Sequence, residues 1–260
     1  MGKTYNLFLL LALVTIPAYS SGGTAPNYCS STYTKICENK GQHIGCNPKD
    51  FSAYGACYNL HPRMIKITNQ YKNLILNQHN SLRNTLASGK MSSTYGTFPS
   101  AKKMPKLKWN DELAKLAELN VKQCEMEHDR CRSTVKFKNA GQNIYYSSWS
   151  VKRTNLEKLI KEGIQAWWDE HKDFYLNEVD KYQGQSYGVL HFTAMAVDYQ
   201  TDVGCAISMY DYSGTGDTFL MTCNYSSWTW LQKAVYSRGQ PCSGCPGKKC
   251  DRTYKFLCGS

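Results

Sequence analysis

The stretch His191-Phe-Thr-Ala-Met-Ala-Val-Asp198, followed by Gly204-Cys-Ala-Ile-Ser-Met-Tyr210 and Phe219-Leu-Met-Thr-Cys-Asn-Tyr225, decides how this chain is read. Residues 191–198, 203–210 and 218–225 are rich in Thr, Val, Ile, Tyr and Phe, side chains that suit a pleated, packed surface. They read as three successive strands. Asp211-Tyr-Ser-Gly-Thr-Gly-Asp217, between the last two, is turn chemistry. With a hairpin centred near Gly214, Cys205 and Cys223 fall nine residues either side of the turn. Opposed residues of an antiparallel pair approach closely enough for a disulfide, so the register predicts a Cys205–Cys223 bridge. The spacing describes a cross-linked hairpin with an inward-facing His191.

Upstream, the period changes from two to three and four. Ile67, Tyr71, Leu74, Ile75, Leu82 and Leu86 predict a helix beginning near Ile65, with Gly89 suited to its C-terminal cap. Residues 90–108, rich in Ser, Gly, Pro and Lys, read as a loop. A second helix starts after Asn110 or Asp111 and buries Leu113, Leu116, Ala117, Val121 and Cys124. Thr154-Asn-Leu-Glu157 reads as a capping box opening a third helix, whose apolar stripe is Leu156, Ile160, Ile164, Trp167 and Trp168. One strand is expected near 143–147. Helices first and strands later give an α+β fold, a sheet between helical layers.

Both ends of the chain differ from this body. Lys3, the apolar run Leu7–Ile16 and the small residues Ala18 and Ser20 read as a signal peptide over 1–20, cleaved after Ser20. The apolar run is too short to span a bilayer, so the expected destination is extracellular. Twelve cysteines in a secreted chain imply six disulfides. Residues 21–64 hold four of them (Cys29, Cys37, Cys46, Cys57) among Gly, Asn, Ser and Pro, a composition that builds no core alone. Residues 226–260 form a second cysteine-rich segment. There Cys242, Cys245, Cys250 and Cys258 allow three pairings, of which Cys242–Cys250 with Cys245–Cys258 is expected. The net charge is +11. Lysines gather at 102–108 and again at 248–255, and the simplest reading of such scattered charge is solubility.

Four short motifs occur in order: His79-Asn-Ser-Leu-Arg83, Gly141-Gln-Asn-Ile144, the 191–193 and 204–205 pair, and Thr222-Cys-Asn-Tyr225. Together they resemble the CAP superfamily of cysteine-rich secretory, antigen 5 and pathogenesis-related proteins, over 65–225. With the N-terminal cysteine block and Gly-Gln-Asn-Ile, the chain looks most like the antigen 5 allergens of insect venom and saliva. The resemblance implies an α-β-α sandwich with a central antiparallel sheet and stapled extensions. It pairs Cys29–Cys46, Cys37–Cys131 and Cys57–Cys124. It also implies a secreted, non-catalytic effector that binds a small lipid or sterol or a host extracellular protein. A monomer is expected, and the basic charge adds an acidic glycan as an alternative partner. Neither a nucleic-acid partner nor a membrane span is expected.

The resemblance further points to a polar cleft at His79, Gln142, Glu170 and His191. Periodicity agrees in part: His79 lies on the apolar stripe with Ile75 and Leu82, and Glu170 follows Trp167 by three residues. Buried polar groups need partners, and the two imidazoles facing Glu170 would supply them. Gln142 stands where many relatives carry Glu, which removes an anionic ligand. His79, Glu170 and His191 are therefore expected to give weak Zn or Cu binding, with no cofactor required. A redox role for such a metal is the enzymatic alternative. Hydrolysis is disfavoured: Ser81 and His79 point to different faces of a helix, and no Gly-x-Ser-x-Gly elbow exists. A lipid would lie beside the first helix, at Leu74 or Leu82. Trp228 and Trp230 are expected in the core, and the Asn224 sequon is expected to be buried and unmodified.

Overall fold

The structure is a computed structural model that describes residues 25–211 and 216–259. The signal-peptide reading and the turn at Gly214 lie outside the described residues. In chain order the elements are α1 (Ser31–Ile36), β1 (Arg63–Ile65), α2 (Asn69–Ala87), the short strands β2 (Ser92–Ser93) and β3 (Gly96–Thr97), and β4 (Lys108–Trp109). Then come α3 (Asp111–Val121), β5 (Gly141–Trp149), α4 (Leu156–Asp169), α5 (Leu190–Ala196), β6 (Asp202–Tyr210) and β7 (Asp217–Tyr225).

β1, β6, β7 and β5 lie side by side and antiparallel, and β4 joins β6 in parallel. In the hairpin, Cys205 pairs directly with Cys223, and the two are bridged across 4.1 Å between Cα atoms. Both strands are buried from end to end because helices cover both faces. Ala117 and Val121 of α3 pack with Ile144, Ala206 and Leu220 on one face. Ile75 of α2 and Ile160, Ile164 and Trp167 of α4 pack with Ile207, Phe219 and Met221 on the other. The period-two alternation therefore sorts side chains between two cores rather than between core and water. Gly204 is required where α3 crosses the sheet: a Cβ there would meet Ala114 N at 2.2 Å and Asn110 O at 2.4 Å.

The motif at 79–83 docks α2 through buried polar groups. Asn80 accepts from Leu107 N and donates to Leu107 O, a two-way clasp on the approach to β4. Arg83, fully buried, donates to the carbonyls of Pro105, Met195, Val197 and Gln200. Its five N–H donors satisfy carbonyls of two segments that no regular ladder serves.

Several expectations are corrected. Residues 190–196 form a helix, not a strand, so His191 enters the site from a helix N-terminus instead of a hairpin. The segment is stabilised there by a remote carboxylate, a tertiary partner that local propensity does not reveal. The first long helix starts at Asn69 after the Thr68 cap, and Ile65 closes β1 instead. Asn155, not Thr154, caps α4 by accepting from Lys158 N. The loop 90–108 contains β2, β3 and β4. Trp228 and Trp230 pack edge to face on each other at 4.9 Å, half-buried and exposed, outside the core. Asn224 is fully buried and donates to Leu113 O.

All twelve cysteines are bridged: Cys29–Cys46, Cys37–Cys131, Cys57–Cys124, Cys205–Cys223, Cys242–Cys250 and Cys245–Cys258.

Candidate functional site

The site begins at the C-terminal end of α4. Trp167 fixes this end to the sheet by donating from its indole to Ile144 O at 3.0 Å. Glu170, three residues on, reaches the first turn of α5. One carboxylate oxygen accepts from the backbone N–H groups of His191 (2.9 Å) and Phe192 (3.1 Å). The other accepts from His191 Nδ1 at 2.6 Å. The carboxylate thus caps the positive end of a helix and orients an imidazole at once. With the proton on Nδ1, Nε2 is the acceptor nitrogen, and the ring, 30% exposed, lies nearly parallel to Trp167.

His79 belongs to a different set. It is fully buried, with Nδ1 donating to Ile75 O at 2.8 Å and Nε2 accepting from the Tyr225 hydroxyl at 2.9 Å. Burial pushes its pKa down to about 4, and Arg83 nearby acts in the same direction. Burial likewise drives the Tyr225 phenol up, so it stays a donor. Asn143 donates to the Tyr225 oxygen at 3.4 Å and to His191 O at 3.0 Å. A neutral chain therefore runs from His79 through Tyr225 and Asn143 to the backbone of His191.

Gln142 faces the α3 side. Its amide donates to Asp129 Oδ1 at 2.6 Å and Asn224 Oδ1 at 3.0 Å, and its oxygen meets His128 Nδ1 at 2.7 Å. His128 was missed by the sequence reading. It lies in the irregular run after α3, where no periodicity assigns a face. Of the four expected cleft residues the structure brings together Glu170 and His191 directly, links His79 to them through Tyr225 and Asn143, and turns Gln142 to His128.

Glu170 accepts three N–H donors, both nitrogens of His79 are engaged in the interior, and His191 presents its Nε2 outward. Among the described residues the one His/Cys/acid cluster tight enough for a cation is Cys37, His43 and Cys131. Its two sulfurs are joined to each other, so it offers no thiolate. Nor does the site hold a nucleophile beside a base. Ser81 is exposed while His79 is buried, and among the described residues no Ser, Thr or Cys side chain bonds to His191.

A profile described as the cysteine-rich secretory protein family, CAP, matches residues 76–225. The chain is 41% identical to the antigen 5 like allergen Cul n 1 of Culicoides nubeculosus over 210 residues, 76% of this chain and 90% of that protein. It is 33% identical to venom allergen-1 of Aedes aegypti over 239 residues, 91% of this chain and 89% of that one. Among solved structures it is similar to NaASP2 crystallised with Zn²⁺, at TM-score 0.62 and 27% identity, covering 74% of this chain and 96% of that one.

Proposed function

Because the chain belongs to the CAP family of cysteine-rich secretory proteins, with venom allergens among its relatives, we propose that it is a secreted effector that acts by binding. In this reading it engages a host extracellular component or a small lipid and needs no catalytic residue. The observation that carries it is the state of the polar cluster. Both oxygens of Glu170, both ring nitrogens of His79 and Nδ1 of His191 are committed to holding α2, α4, α5 and β7 together. Among the described residues, no buried side-chain nitrogen or oxygen lacks a partner. A cluster so satisfied fixes a scaffold rather than activating a substrate. A lipid would lie beside α2, where Leu74 and Leu82 are half-buried against the main core. No helix among the described residues is long and apolar enough to cross a membrane.

The test uses His191→Ala, which keeps both backbone donors to Glu170 and should fold normally by circular dichroism. Host-cell or lipid binding should be retained, with native mass spectrometry of source-purified protein used to show any co-purified lipid. A folded His191→Ala protein that loses its biological effect together with a metal-dependent redox signal would overturn the non-catalytic reading. It would promote a metal role centred on His191, the alternative that the Zn²⁺ in the NaASP2 structure makes worth testing.

A further inference from the structure

Lysines of the 102–108 cluster and Lys249, roughly 140 residues further along the chain, line one groove. The groove has a volume of about 740 Å³. Lys103, Lys106 and Lys108 come from the segment entering β4, Lys136 from the run before β5, and Lys249 from the C-terminal tail. The tail makes one wall. Gly244 N donates to Lys102 O, Cys258 N donates to Met104 O, and Lys106 reaches Asp251 at 2.5 Å. Cys242–Cys250 and Cys245–Cys258 hold that wall in shape. The tail thus does more than end the chain: it completes a basic groove that neither segment forms alone.

Two carboxylates lie in the lining, Asp198 and Asp202, and both are held by other donors. Asp198 accepts from Ser237 N at 2.8 Å and Asp202 accepts from the Thr201 hydroxyl at 2.7 Å. Their lysine partners form long ion pairs: Lys103 stands 3.8 Å from Asp198 and Lys136 3.5 Å from Asp202. In each pair the lysine is the exposed member, and the buried carboxylate keeps its other donor when the lysine turns away. Lys108 and Lys249 make no ion pair among the described residues and are exposed. The lining keeps a surplus of positive charge over an open, rigid floor.

The lining also selects among anions. It has no aromatic side chain on which a nucleobase would stack. It has no Leu, Ile, Val, Phe or Met to bed an acyl chain, and its apolar surface is Pro105, Pro246, Cys258 and lysine stems. What remains suits a hydrophilic polyanion with charges spaced along a chain. We propose that this groove binds a sulfated glycosaminoglycan segment, lysines meeting sulfates and the prolines meeting sugar rings. The proposal specifies which host component the extracellular reading points to and in that sense rests on it. The tests read glycan binding in vitro and are independent of the Glu170–His191 site.

The probe is a size-defined heparin hexasaccharide titrated into the full disulfide-bonded chain, with its desulfated counterpart alongside. Binding should be salt-sensitive and require sulfate. The Lys108→Gln/Lys249→Gln protein should bind about tenfold more weakly, whereas Lys35→Gln/Lys181→Gln, with the same loss of charge elsewhere, should stay within about twofold. Bound hexasaccharide should shield Lys108 and Lys249, but not Lys35, from acetylation in the unmodified protein, a readout that needs no variant to fold. Equal losses in both double variants would mean diffuse attraction only and overturn the site. So would equal binding of the desulfated sugar, uniform acetylation, or tighter and equally variant-sensitive binding to phosphatidylserine vesicles, which would assign the groove to a membrane surface.

Discussion

At the scale of single residues, His79 shows how a polar side chain can be structural in the interior of a helix. Its position between Ile75 and Leu82 told of burial, and its partners, Tyr225 and the Ile75 carbonyl, came only with the tertiary structure. The neutral ring is what the network needs, since Nε2 must accept. The unfolded chain holds His79 at an ordinary pKa of about 6.5, while the folded protein holds it at about 4. Below the unfolded value, the unfolded state therefore binds more protons than the native one. Stability from this group is complete above pH about 6.5 and is lost as pH falls toward 4, by at most ~1.4 kcal/mol per unit. His43, also buried with its pKa lowered by burial, adds a slope of the same sign. Urea unfolding of His79→Gln between pH 7 and 4 should show a shallower loss than the parent protein. Identical slopes would mean that His79 is not the neutral, buried group described.

At the scale of elements, α5 carries the most instructive disagreement. Thr193 and Val197 suggested a strand, yet the segment also contains Leu190, Ala194, Met195 and Ala196, good helix formers. Short apolar runs do not discriminate between strand and helix by period. The arbiter is Glu170, twenty-odd residues earlier, whose carboxylate supplies the cap that Val189 cannot. By contrast, the β6–β7 hairpin was legible because a single count about Gly214 aligns Cys205 with Cys223. Helix α3 was legible because Asn110 is both a good cap and the first residue before the apolar period. The cap makes a specific demand on α5. Glu170→Ala should destabilise the protein by about 1–2 kcal/mol. It should also raise hydrogen exchange at the His191 and Phe192 amides before it affects β6 or β7. Unchanged protection of those two amides would show that α5 does not depend on the carboxylate.

At the scale of the whole molecule, the fold is a sandwich with a core on each face of its sheet. A disulfide-stapled block is tied to it at the N-terminal end, and a tail at the other end buries Val235, Tyr236 and Leu257 in the main core. Charge at this scale was the least legible feature, because Lys103–Lys108 and Lys249 become neighbours only when the tail is docked. The N-terminal block is tied by two bridges to the run that follows α3, Cys57–Cys124 and Cys37–Cys131. Between them the block has modest contacts of its own. Tyr28 donates to Glu112 at 3.1 Å and stacks on His43, His43 meets Ser133 O at 2.7 Å, and Lys40 donates to Lys138 O at 2.9 Å. These few bonds must offset the ordering of a segment that buries little apolar surface, which the bridges make feasible by limiting the unfolded chain. Cys37–Cys131 spans 94 residues, so its loss should be felt as local opening. In the Cys37→Ser/Cys131→Ser protein, limited proteolysis should cut within 25–50 at least about tenfold faster, while the sheet retains its protection and a cut between Cys29 and Cys46 leaves the pieces joined by that bridge. Cleavage that instead spreads evenly over β5, β6 and β7 would mean that the bridge supports the sandwich itself, and that the block is not a stapled appendage but part of the cooperative core.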